Sequence, residues 1–346
     1  MGDQQQQQLP KTMQGTLHRF SPSHDHLAFV SSSSDLHVVL IGGLGDGLLS
    51  LPYAPLLAER CASAGKWALV QAQLGSSYAG WRWRRSLSKD AEEVLLLLAW
   101  LKRELGSRGV VIIGHSTGAQ IACETCRRLG QGGGGSAAAP LLPPLLGVVL
   151  QGAVSDRDYF FAAAFERSAA CLADARRICE TRGAAGAGED EEPLTAAEIV
   201  DGIEGGAAVA RRAVSLLERL GGDDMFSRDL SVEEMREKTA VGWLTGRPGQ
   251  EEKGGGDKPG RREVLVLASG ADEYALPLLT PEEEKDETKV KSKHRAIAEL
   301  AERVAEAAGP GARAVTIPGA THDGGRGTEM VVAAIEGLLA AVAAAV

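Results

Sequence analysis

Ser116 stands in Gly114-His115-Ser116-Thr117-Gly118, directly after the apolar run Val110-Val111-Ile112-Ile113. A strand that feeds a G-x-S-x-G turn puts its serine on a strained corner ahead of a helix, with the hydroxyl exposed. The two glycines remove side chains where strand and helix pass closest. A free serine hydroxyl is a poor nucleophile, so this corner does chemistry only with a base and an acid. Both follow in order: Asp272 in Ser269-Gly270-Ala271-Asp272-Glu273, then His322 in Pro318-Gly319-Ala320-Thr321-His322. A neutral imidazole titrates near neutral pH, so His322 can take the Ser116 proton and return it to a leaving group. A carboxylate on the far ring nitrogen would hold the tautomer and stabilise the imidazolium. Asp272 is favoured for that part because it follows its strand and small-residue turn directly. Glu273, next to it, is the competing acid.

Acyl transfer also needs backbone donors where the oxyanion develops. One is the N–H of Thr117, at the helix start, and the second comes from Gly42-Gly43-Leu44-Gly45-Asp46-Gly47, through Gly43 or Leu44. A phosphate cradle is the rival use of that loop, but it lacks the Lys-Ser/Thr ending of a P-loop and the spacing of a dinucleotide fingerprint. Asp46, Tyr78, Trp81 and His115 are candidate pocket residues, since their segments follow neighbouring strands. Trp81 and Trp83 equally suit packing under a cap. Asp156 and Arg157 are expected to pair with each other, with a charged substrate as the alternative. The constellation calls for no metal and no cofactor.

The elements that position these residues read as alternating strands and helices. An opening hairpin is expected at Thr16 to Phe20 and Leu27 to Ser31, then strands at His37 to Ile41, Trp67 to Gln71, 110 to 113 and Leu146 to Gln151. Between them come helices at Leu49 to Ala64, Ser88 to Leu105 and from the serine corner through Arg128. The alternation then stops for about a hundred residues, read as a helical cap over 155–260 with Gly- and charge-rich loops at 182–192 and 246–262. Strands Glu263 to Ala268 and Ala314 to Ile317 resume the sheet, with helices at His294 to Ala308 and Thr328 to Ala345. The division is thus a disordered tail 1–14, a core in two parts, 15–154 and 261–346, and the cap 155–260. Buried Val, Leu and Ile strands separated by helices make an α/β protein with a mostly parallel sheet covered on both faces. Ligands bind beyond the carboxyl ends of such strands, where Gly43, Ser116, Asp272 and His322 all fall.

Composition narrows the partners. The chain has 346 residues with 37 Lys+Arg against 46 Asp+Glu, a net charge of −9 that argues against nucleic acid or an anionic membrane. No secretory pattern or run of about 18 apolar residues is present, Gln6 does not fit myristoylation, and the expected location is cytoplasmic. Five cysteines are an odd, sparse set suited to reduced thiols, and the Cys123-x-x-Cys126 pair lies inside a helix, as buried small residues would. His24 and His26 are read as part of a solvated Ser-rich turn.

Several pieces resemble one family more particularly. They are Gly42-Gly43-Leu44-Gly45-Asp46-Gly47-Leu48-Leu49-Ser50-Leu51-Pro52-Tyr53, Leu74-Gly75-Ser76-Ser77-Tyr78-Ala79-Gly80-Trp81, Asp90-Ala91-Glu92-Glu93, Gly114 through Gln120, Leu150 through Arg157, and Asp272-Glu273-Tyr274. Together they resemble the α/β-hydrolases similar to fungal siderophore esterases that cleave fusarinine-type esters, with their plant and algal relatives. The resemblance implies an α/β-hydrolase fold with a helical cap and an intracellular serine ester hydrolase working through Ser116, Asp272 and His322 on a small-molecule ester. It does not carry the siderophore substrate across. Asp272-Glu273-Tyr274-Ala275-Leu276-Pro277 is one residue longer than the Asp-Glu-Tyr-x-Pro expected, and the cap carries its own Gly-rich inserts. A ligand receptor or interaction protein on the same scaffold, and an acyltransferase with the same triad, are the alternative functions.

Overall fold

The computed structural model describes residues 12–23, 26–78, 86–132, 141–183, 210–242 and 262–344. Among them, short runs rich in Val, Leu and Ile form strands β1 (Thr16–Arg19), β2 (Leu27–Val30), β3 (Leu36–Ile41) and β4 (Ala68–Gln73), followed by β5 (Gly109–His115), β6 (Leu145–Gln151), β7 (Glu263–Ser269) and β8 (Ala312–Ile317). They make one sheet in the order β1-β2-β4-β3-β5-β6-β7-β8. The hairpin β1–β2 and its junction with β4 are antiparallel. Every pairing from β4 to β8 is parallel.

Parallel strands need crossovers, and helices supply them on both faces. On one face Val39, Ile41, Val110, Ile112, Val148 and Val266 pack under α2 (Leu87–Leu105), α3 (Thr117–Gly132) and a later helix, Glu287–Ala308. On the other, Val38, Leu40, Val111, Ile113, Val149 and Leu267 meet α1 (Ala54–Ser63) and the last helix, Thr328–Ala343. Successive side chains of a strand point to opposite faces, so covering both buries every residue of β5. The strand that presents the serine corner is therefore covered along its whole length.

Between β6 and β7 lie α4 (Asp156–Ala163), α5 (Phe165–Gly183), α6 (Ala210–Leu217) and α7 (Val232–Thr239), after which Glu287–Ala308 and Thr328–Ala343 are α8 and α9. The segment divides in two. Cys171, Ala175, Ala210, Ala213, Leu216 and Leu217 form a small apolar cluster of α5 and α6, with Phe160 and Phe161 of α4 against it. Met225, Phe226, Leu230, Met235 and Val241 instead join the main core, with α7 packed on α8 and α3. No helix among the described residues is long and apolar enough to cross a membrane.

Three helix starts differ from the sequence reading. Helix α1 begins at Ala54, because Leu49 takes a left-handed φ of 64° and Pro55 sits in the first turn. Helix α2 is capped by Ser86, whose side chain accepts from Lys89 N, and Ser88 lies inside its first turn. Helix α8 begins at Glu287, seven residues before His294, where Asp286 accepts from Thr288 N at 2.8 Å. Its first two turns are solvated and carry no apolar stripe, so periodicity alone does not register them. Much of the expected tail, the loops 182–192 and 246–262 beyond their first or last residues, His24, Trp81 and Trp83 lie outside the described residues.

Candidate active site

Ser116 holds a left-handed φ of 51°, a conformation unfavourable for a residue with a Cβ. The corner is possible because of its glycines. A Cβ on Gly114 would stand 2.1 Å from the Gly118 carbonyl oxygen, and one on Gly118 would stand 2.4 Å from the Ile41 carbonyl oxygen. The Ser116 amide donates to Gln151 O at 2.9 Å, tying the corner to the end of β6. Thr117 opens α3, so its N–H has no intrahelical acceptor and lies at the positive end of the helix dipole.

His322 follows β8 in a tight turn, and Asp272 follows β7. The parallel register of these strands brings their ends together, with Ser269 opposite Ile317. His322 Nδ1 is 2.7 Å from Asp272 Oδ2. The carboxylate is 1% exposed, and its other oxygen accepts from Tyr274 N at 2.9 Å. Glu273 has a different partner: its Oε2 accepts from the backbone N–H of His322 at 3.0 Å. The two acids that sequence left in competition thus divide ring and backbone between them. Burial opposes a charge on the His322 ring, but the Asp272 charge and hydrogen bond, with Glu273 and Asp156, outweigh it and hold the ring above the ordinary histidine value. Tyr274 stands edge-on to the ring at 4.8 Å and meets Tyr159 of α4 at 5.0 Å.

His115 and Gln151 form the floor. The His115 ring lies 4.8 Å from that of His322, and its Nδ1 is 2.5 Å from Gln151 Oε1. Burial, then the neighbouring His322, push His115 down to about 3, so it is neutral and donates to the Gln151 oxygen. Gln151 is fully buried. Its Nε2 donates to the His322 carbonyl at 2.9 Å and to Ser269 Oγ at 3.4 Å. It binds β5, β6, β7 and the His322 turn into one frame. Sequence reading took Gln151 as the end of a strand and part of a resembling segment, with no role in the site; an amide closing an otherwise apolar strand was the signal available for it.

The loop after β3 is held in three places. Asp46 Oδ2 accepts from Gly43 N at 2.6 Å, Tyr78 Oη accepts from Leu48 N at 3.0 Å, and Tyr78 N donates to Asp46 O at 3.1 Å. A Cβ on Gly43 would come 2.8 Å from Ser116 Cβ, which puts the loop directly beside the serine. Because Asp46 already holds the Gly43 amide, Leu44 is the one of the two candidate amides without a partner among the described residues. Burial raises Asp46 above its usual range against the Gly43 hydrogen bond and the His322 charge. Tyr78 fastens the loop, and its ring is half exposed.

Two expectations are corrected. Arg157 does not pair with Asp156: its Nε lies 3.1 Å from Asp224 Oδ2 and its Nη2 reaches Asp229, while Asp156 accepts from Gln120 Nε2 at 3.2 Å. A helix start turns adjacent side chains apart, and α4 begins at Asp156. His26 is not solvated either. It is buried on the ring of Phe20, with Nδ1 2.6 Å from Ser21 Oγ and Nε2 3.0 Å from Glu93 Oε1, because β2 brings it under α2. None of the five cysteines forms a disulfide, and burial pushes Cys126 up to about 12 and Cys123 well above its usual range.

The sequence profile of a family described as "Protein of unknown function (DUF1749)" matches residues 5–345. A UPF0613 protein of Schizosaccharomyces pombe is 30% identical over 205 residues, 57% of this chain and 58% of that protein. The match therefore spans little more than half the length of that relative. Among solved structures, the siderophore hydrolase EstB from Aspergillus fumigatus superposes with a TM-score of 0.61 at 21% identity, covering 96% of this chain and 98% of that one. An α/β hydrolase fold protein of unknown function superposes with a TM-score of 0.57 at 20% identity, covering 96% and 97%. At these identities the likeness is one of fold. The sheet order, the serine corner after β5 and the match over nearly the whole length agree: the chain belongs to the DUF1749 family and has the α/β-hydrolase fold.

Proposed function

We propose that this protein is a serine ester hydrolase that acts on a small carboxylic ester through an acyl-enzyme. The observation that carries the reading is the 2.7 Å contact of Asp272 with His322, beside a serine held at φ 51° on the elbow. In this mechanism Ser116 Oγ attacks the ester carbonyl while His322 takes its proton. The tetrahedral oxyanion is met by the N–H groups of Thr117 and Leu44. The C–O bond to the alcohol breaks as His322 returns the proton to the departing oxygen. Water then repeats the sequence on the acyl-serine, with His322 again the base. Asp272 keeps the ring oriented and balances its charge. The hydrogen bonds of Ser116 among the described residues are made by its backbone and not by its hydroxyl, a looseness common before substrate binds. In this reading helices α4 to α6 form the cap.

The substrate of the fungal siderophore hydrolase is not transferred, since a fold shared at 21% identity leaves the pocket undetermined. The test is a fluorophosphonate probe, with the adduct located by mass spectrometry, and pre-steady-state release of p-nitrophenol from short acyl esters. Labelling of Ser116 and a burst of one equivalent are expected, both lost in Ser116→Ala. A folded protein that shows neither refutes the hydrolase.

A further inference from the structure

A narrow cleft opens beside the elbow, with Gly43, Leu44, Ser77, Asp90, Thr117 and Arg212 in its wall. It lies on the side of the oxyanion amides, and His322 and Tyr274 take no part in its lining. The leaving alcohol collects its proton from His322, so this cleft faces the acyl half of an ester. Arg212 reaches it from α6. The side chain is 3% exposed, Nη1 lies 2.7 Å from Asp223 Oδ2 as an ion pair without hydrogen-bond geometry, and Nε has no acceptor among the described residues. Thr117 Oγ1, in the same wall, is buried without a partner as well. Buried donors are rarely left unpaired, and a charged one is the costliest to strand. Two such side chains in one cleft, from the elbow helix and from α6, point to a ligand group that supplies what the chain does not.

The charge of that group follows from its surroundings. Asp223 already neutralises Arg212, and Gln120 Nε2 ties the Asp223 carbonyl, at 2.5 Å, to Asp156 Oδ2, at 3.2 Å. Asp46 and Asp90 line the same cleft. A ligand carboxylate would enter beside these two carboxyl groups, where the Arg212 charge is already met by Asp223. A hydroxyl or amide oxygen accepts from Nε without that repulsion. We infer that Arg212 is a specificity residue, and that the substrates are esters whose acyl part bears a neutral oxygen acceptor, such as hydroxyacyl or acylamino-acyl esters, rather than plain alkanoyl esters. This inference rests on the hydrolase reading and names its substrate class.

The experiment compares kcat/KM for p-nitrophenyl butyrate, p-nitrophenyl 3-hydroxybutyrate, p-nitrophenyl N-acetylglycinate and mono-p-nitrophenyl succinate. Each is divided by the ester's rate with hydroxide, to remove intrinsic reactivity. The wild-type protein is expected to favour the hydroxy and acetamido esters over butyrate by about tenfold or more, the worth of one hydrogen bond to a charged donor. Arg212→Lys keeps a cation for Asp223 but lacks the Nε donor, and should bring the polar-to-alkanoyl ratio down about tenfold. Its melting curve checks the fold, and the wild-type ranking needs no variant at all. A ratio near one in the wild type, a ratio unchanged in Arg212→Lys, or a preference for the succinate overturns the inference. If Ser116 labels and butyrate is cleaved without preference, only the inference falls; if nothing labels and nothing is cleaved, the hydrolase reading falls with it.

Discussion

Replacing Asp272 by Asn tests the site at its most exposed inference. The side chain keeps its shape and its contact with Tyr274 N, but the group facing His322 Nδ1 loses its charge, and its NH2 can select the wrong tautomer. The stabilisation at stake is that of an imidazolium formed inside a closed frame, where Asp272 is 1% exposed and water cannot take its place. Carboxylate-to-amide changes of this kind lower kcat by about 10⁴-fold, which at 1.36 kcal/mol per decade is about 5.5 kcal/mol of transition-state stabilisation. A second signature is independent of the size of the loss. The base must be neutral, so kcat/KM rises with pH through the His322 titration, which Asp272, with Glu273 and Asp156, holds above the ordinary value against burial. Without the Asp272 charge burial gains ground, and the acid limb of the residual activity moves to lower pH. The assay is the pH profile of kcat/KM on a short p-nitrophenyl ester for wild type, Asp272→Asn and Glu273→Gln. Glu273 holds only a backbone N–H, which a glutamine oxygen can also do, so its variant should lose no more than about tenfold, the worth of one hydrogen bond. If Asp272→Asn stays within tenfold of wild type, or if Glu273→Gln is the more damaged of the two, the assignment of the acid is wrong.

Three further outcomes follow from the geometry. Ser116→Gly should stabilise the fold by about 0.5–1 kcal/mol in urea titration, because it relieves a φ of 51°, while abolishing fluorophosphonate labelling; a loss of stability would show that the corner carries no strain. Gln151→Met should lower kcat by about 10–100-fold and cost about 2–3 kcal/mol in denaturation, since His115 and the His322 carbonyl lose their partners, and an unaffected kcat would remove Gln151 from the positioning frame. His37 is fully buried, with Nδ1 2.9 Å from Ser107 Oγ, and burial lowers it to about 4 against the pull of Asp35. Its unfolded form binds a proton below about pH 6.5 while the folded form does not until about pH 4, so stability contributed by neutral His37 is full above that window and falls through it. Between pH 6.5 and 5 this amounts to about 2 kcal/mol at 1.36 kcal/mol per unit. His37→Asn should flatten the pH dependence by that amount, and an equal slope in both proteins would refute it.

The strands were legible because burial on both faces selects apolar residues throughout: runs such as Val-Val-Leu-Ile before Gly42 and Val-Leu-Val-Leu before Ala268 are short, rich in β-branched residues and bounded by turn residues, as covered strands are. Helix starts were less legible. Leu49 and His294 looked like beginnings because apolar periodicity begins near them, while Pro55 and the Asp286 cap, which set the true starts, act through the backbone. The insertion was the hardest part to read, since Met225, Phe226 and Leu230 belong to the main core for reasons of packing that no local pattern carries.

For the candidate site, sequence alone determined the residue types and their order. The glycines of the elbow, the serine between them, an acid after one strand and a histidine after the next are local signals, each tied to its own turn. What only the tertiary structure decided were choices among neighbours: Asp272 rather than Glu273 against the ring, Leu44 rather than Gly43 as the free amide, Asp224 rather than Asp156 against Arg157, and Gln151 as the frame beneath them all. Adjacent residues share the same local sequence. Which of two faces a distant partner depends on how parallel strands align across the sheet and how a helix start turns its side chains. Those directions are set by contacts far apart in the chain, and they exist only once it has folded.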